Sequence, residues 1–80
     1  SCSGKSKNLV NANKFALKKK INVVTLTGCS KKNYLNSNKK NKVNIWINSN
    51  EYNVIEAIHH LILLSIILCI VLLISKMSFF

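Results

Sequence analysis

Eighty residues allow one small domain at most, burying only about 60% of its unfolded surface, so a multidomain enzyme is excluded. Twelve lysines and no arginine face only Glu51 and Glu56, for a net charge of +10, so any carboxylate chemistry falls to those two residues. The absence of arginine argues against base-specific nucleic-acid readout, where bidentate guanidinium contacts lead. Twelve asparagines beside the twelve lysines point to A/T-rich coding and solvated lysine faces rather than a polyanion site.

In chain order, Leu9, Val10, Ala12, Phe15, Ala16 and Leu17 recur at spacings of three and four, predicting an amphipathic helix over Ser6 to Lys20. Ser3, Gly4 and Ser6 precede it as turn and cap residues. Ile21 to Thr27 is β-branched, stops at Gly28 and reads as a buried strand. From Cys29 to Lys42 the chain is mostly Lys, Asn and Ser, a loop with one short helical turn at Tyr34 and Leu35. Val43, Ile45 and Ile47 alternate in a second strand, Asn48 to Asn50 form a turn, and a long helix starts at Tyr52.

That helix becomes almost wholly apolar from Leu61 to Ile74, fourteen residues broken only by Ser65. A spanning helix needs about 20 apolar residues, and runs of about 10 to 14 are more often core helices. The run is therefore assigned to a core, with a membrane anchor as the alternative. Cys2, Cys29 and Cys69 are odd in number, widely spaced and without a CxxC pair, so neither a disulfide framework nor a zinc knuckle is indicated. A reduced, cytoplasmic setting is expected, with Cys69 as inert packing. The opening at Ser1, with no Met and no leader pattern, reads as an excerpt of a longer chain.

Two constellations could carry chemistry. SCSGKS places serine hydroxyls and free N–H groups at the positive end of a helix, suiting a phosphate, and it suits a plain capped turn equally well. Its Gly4-Lys5-Ser6 also matches the tail of a P-loop, whose first glycine would precede Ser1. Glu56, His59 and His60 form the one acid and base cluster. Helical spacing puts both histidines on the Glu56 side, as a proton shuttle, half of a metal site, or a helix start beside a core.

SCSGKSKNLVNANKFALKKKINVVTLTG resembles the second half of a SIS (sugar isomerase) domain: a strand ending in an SxSGxS/T loop, a helix, and a strand closing on LTG. YNVIEAIHHLILLSI is similar to the C-terminal helix of phosphoheptose isomerase-like members. The resemblance spans residues 1 to 68 and implies an α/β fold, a truncated three-layer αβα sandwich with a parallel sheet, over residues 1–75, followed by a tail at 76–80.

The resemblance also implies a sugar phosphate held by Ser1, Cys2, Ser3 and Ser6, and aldose–ketose isomerase chemistry assisted by Glu56 and His59. Glu56 stands where those isomerases carry Gln, and Leu64 where they carry the catalytic His. No cofactor is required, although zinc is admissible. A cytoplasmic homo-oligomer of the full-length protein is expected, with its terminal helix buried in the core and in subunit contacts and with no nucleic-acid or membrane partner. The chain alone is expected to be inactive. A P-loop NTPase piece and a small basic membrane-anchored protein are the alternatives.

Overall fold

Ser6 is extended (φ −59, ψ 121), and its carbonyl accepts the Val10 N–H at 2.9 Å, opening helix α1 at Lys7–Lys18. At the other end Lys20 turns left-handed (φ 60) while its N–H reaches Leu17 and that of Ile21 reaches Ala16, the paired bonds that close a helix C-terminus. This reversal takes up Ile21, and Val23 leads into the strand with its carbonyl on the Lys42 N–H at 2.7 Å. Strand β1 is Val24–Thr27, shorter than the β-branched run suggested. The structure, a computed structural model, describes residues 1–78. After β1 come the short helix α2 at Tyr34–Ser37, strand β2 at Val43–Trp46 and the long helix α3 at Tyr52–Ser78. Within the expected tail, Phe79 and Phe80 lie outside the described residues.

β1 and β2 pair in parallel, with Leu26 opposite Ile45 and Thr27 opposite Trp46. The carbonyls of Val23 and Thr27 and the N–H of Cys29 bond toward β2. Leu26 and Gly28, in alternation, face the opposite edge. There the Ser1 nitrogen donates to the Leu26 carbonyl at 3.1 Å and the Gly28 N–H to the Cys2 carbonyl at 2.7 Å. Ser1 and Cys2 thus extend the sheet on the side away from β2, and the chain has an α/β architecture on a small parallel sheet.

One sheet face is polar. Thr25 donates to Asn44 at 2.5 Å, Asn41 donates to Asn44 at 3.0 Å, and Asn13 of α1 donates to Asn41 at 2.6 Å. The fully buried Asn33 caps α2 by accepting the Asn36 N–H at 2.8 Å and donates to the Thr27 hydroxyl at 3.1 Å. Among the described residues every buried side-chain polar atom has a partner, as burial requires. On the other face α3 seats Ile55 over Gly28. A Cβ at Gly28 would stand 2.7 Å from Ile55 Cγ1, so glycine is needed for this approach.

Among the described residues, Leu35 and Ile55 are the buried apolar side chains. The apolar run of α3, expected to fill the core, lies outside it: Leu61 is 63% exposed and Leu73 61%. The reason is length. Four-residue strands extend about 13 Å, whereas the 27 residues of α3 extend about 40 Å, so the sheet covers only the first turns of the helix.

Candidate functional site

The strand-like Ser1 and Cys2, the turn into α1, the end of β1 and the start of α3 enclose a cleft of about 490 Å³. It is lined by Ser1, Cys2, Ser3, Ser6, Cys29, Asn50, Tyr52 and Glu56. All four residues assigned to phosphate binding therefore share one cavity with Glu56, fifty positions further along the chain. Parallel pairing brings this about, because it sets the carboxyl ends of neighbouring strands side by side.

The loop holds itself open. Ser1 Oγ accepts the Gly4 N–H at 3.0 Å and lies 3.2 Å from Ser6 Oγ, while Ser3 Oγ accepts the Lys5 N–H at 3.2 Å. Gly4 adopts φ 68, and a Cβ there would overlap the Asn33 side chain. The position thus requires glycine on two counts, backbone handedness and space. Ser6 occupies the cap position of α1 without using its hydroxyl to cap, so the plain capped turn is not what forms. That hydroxyl faces the cleft at the end of α1 where the helix dipole favours anions, with Lys5 and Lys7 exposed beside it.

Glu56 closes the far side. Its carboxylate is the hydrogen-bond partner of the Tyr52 phenol and, with its charge, raises the phenol above its ordinary value of 10.0. The Cys2 thiol is likewise raised above 9.0, first by burial, then by its contact with Cys29 and by the negative charge of Glu56.

His59 is placed differently from the expectation that paired it with Glu56 at the substrate. It is buried, and its Nε2 lies 3.0 Å from the Thr27 carbonyl oxygen, a bond that the Nε2–H donates. Helical spacing turns it toward β1, while Glu56, a turn earlier, faces the cleft. No imidazole lines the cleft, and Leu64, where the resemblance would seek a base, is 62% exposed two turns beyond Glu56. The cleft sets the serine hydroxyls on one side and the Glu56 carboxylate and Tyr52 phenol on the other.

Among the described residues no three His, Cys, Asp or Glu side chains converge as metal donors. Cys29, Asn50 and Tyr52 were not foreseen at the site. The one signal for them was position, directly after the LTG turn and at the start of the last helix. Comparison with protein-family models, with curated proteins and with solved structures finds no match.

Proposed function

We propose that this chain binds a sugar phosphate as the C-terminal part of a SIS-like, three-layer αβα domain of a cytoplasmic protein. The phosphate sits on Ser1, Ser3, Ser6 and the first turn of α1, and Glu56 faces the sugar. The observation that carries this reading is the shared cleft, which joins the serine loop to Glu56 and excludes every other carboxylate and both histidines. Support for three layers comes from α1 reaching the sheet through Asn13 and Asn41 on its polar face, while Ile55 of α3 packs on the other. Isomerisation belongs to the full-length protein and would use Glu56 as its acid and base, because His59 is engaged with the sheet.

Calorimetric titration of the chain with sedoheptulose 7-phosphate tests this reading, with ATP as the competing ligand expected of a P-loop protein. Ser3→Ala combined with Ser6→Ala is expected to weaken sugar-phosphate binding by about 1 to 3 kcal/mol. Unchanged affinity, or preference for ATP, contradicts the assignment.

A second reading, a membrane anchor, is favoured by α3 itself. Within Tyr52–Met77 the most apolar stretch of 18 residues has a mean hydropathy of 2.8, and 6% of that stretch is buried. A helix covered on one side carries one apolar stripe, yet Leu61, Ile67, Leu72, Leu73 and Ile74, which spread around the axis, are all largely exposed. Ser65, the one polar interruption of the run, satisfies its hydroxyl inside the helix by donating to the Leu61 carbonyl at 2.8 Å, as a lipid environment demands. Leu61 to Met77 extend about 26 Å against a hydrocarbon core of about 30 Å. On this reading the expressed chain stays with membranes through carbonate extraction; release into the soluble fraction contradicts it.

A further inference from the structure

We propose that Cys2 and Cys29 form a reversible disulfide across the cleft, a modification site that couples the serine loop to the redox state of its surroundings. The two sulfurs lie 3.9 Å apart, although 27 positions separate them in the chain. Their backbones are held in that relation by the sheet: the Cys2 carbonyl accepts the Gly28 N–H at 2.7 Å, and Ser1 donates to Leu26 at 3.1 Å. The partner side is equally fixed. Cys29 is left-handed at φ 56, its N–H donates to Ser49 at 2.9 Å, and its carbonyl accepts the Trp46 indole N–H at 3.2 Å.

Both cysteines are half-buried and line the cleft, so a small oxidant reaches them from solvent. The third cysteine, Cys69, is exposed on the apolar part of α3 and lines a different surface, with Ile45 and Ile58. Closure draws the sulfurs from 3.9 Å to about 2.05 Å. Because Cys2 stands between Ser1 and Ser3, that movement is transmitted to the hydroxyls of the loop.

With hydrogen peroxide as oxidant, the Cys29 sulfur attacks the O–O bond, giving a sulfenic acid and one water. The Cys2 sulfur then attacks the sulfenic sulfur and a second water leaves. Two thiols and one peroxide become one disulfide and two waters, and two thiols of a reductant reverse the step. Burial, the neighbouring sulfur and the charge of Glu56 raise the Cys2 thiol, which disfavours Cys2 as the sulfur oxidised first, since the thiolate is the nucleophile.

The test uses the full chain carrying Cys69→Ser, treated with hydrogen peroxide under native conditions, alkylated and weighed, with peptide mapping of the product. The expected result is a loss of two hydrogens, a Cys2–Cys29 linked peptide, full reversal by dithiothreitol, and loss of the linkage in Cys29→Ser. In guanidinium, where the sheet is gone, the same treatment should form the link at least tenfold more slowly. Sulfinic acids or intermolecular dimers in place of the internal link, or equal rates in guanidinium, would overturn the proposal. These outcomes are independent of the sugar-phosphate reading, whose failure shows as an absence of binding in the reduced chain.

Discussion

Lys20 and Gly4 both stand in the left-handed region, at φ 60 and 68, for different reasons. Lys20 closes α1, and the bonds of its own N–H to Leu17 and of the Ile21 N–H to Ala16 offset its left-handed backbone, whereas Gly4 lies where a Cβ would enter the Asn33 side chain. Glu56 is the residue whose influence on the cleft is most easily measured. It holds the Tyr52 phenol above 10.0 through a hydrogen bond and its charge. Glu56→Gln removes the charge and keeps the shape. In a Tyr34→Phe background, where Tyr52 is the remaining tyrosine, its ultraviolet titration should move to lower pH in Glu56→Gln. An unmoved titration would detach Tyr52 from Glu56.

A raised thiol also gives Cys2 a defined effect on stability. Its folded value lies above the unfolded 9.0, so below pH 9 both states keep the proton and no penalty arises. As pH rises through 9 and then through the folded value, the unfolded chain releases the proton first and stability falls. The alkaline limb of the stability curve should flatten in Cys2→Ser.

At the scale of elements, α3 divides into a part that the sheet engages and a part that it does not. Ile55 over Gly28 and His59 on the Thr27 carbonyl fix the first turns. His59→Ala is expected to cost about 1 to 3 kcal/mol of stability in chemical denaturation, with little change in sugar-phosphate affinity. A variant of unchanged stability that lost binding would return His59 to the cleft.

The elements themselves were largely legible. The three-and-four spacing of Leu9 to Leu17 marks α1, and the alternation of Val43, Ile45 and Ile47 marks β2. The start of β1 was not legible, because Ile21 has a strand-like side chain while the closing turn of α1 claims its N–H for Ala16. Exposure of Leu61 to Ile74 was not legible either. Hydropathy registers how apolar a helix is, and the four-residue strands decide how much of it is covered. The approach of Cys2 to Cys29 escaped the sequence for a related reason, since spacing rules register local pairs and this one is made by backbone bonds from Ser1 and Cys2 to Leu26 and Gly28.

For the whole molecule, the balance between buried and exposed surface governs behaviour. Two apolar side chains are buried among the described residues, while Phe15 at 61% and most of α3 remain open. Exposed apolar area on this scale marks an interaction surface. A second copy of the chain and a lipid bilayer are both coverings that suit an all-round apolar helix, and eleven of the twelve lysines precede that helix.

The serine loop lies at the other end of the molecule's logic: its hydroxyls, the α1 N-terminus and Glu56 meet in one cleft whatever covers α3. The most direct test of that cleft is a nitrogen-15 correlation spectrum of the full chain titrated with sedoheptulose 7-phosphate. The expected result is saturable shifts confined to the amides of Ser3 to Asn8, Cys29 and Asn50 to Glu56. Shifts spread over the lysines at residues 18–20 and 39–42, or none at all, would contradict a phosphosugar site at the head of α1.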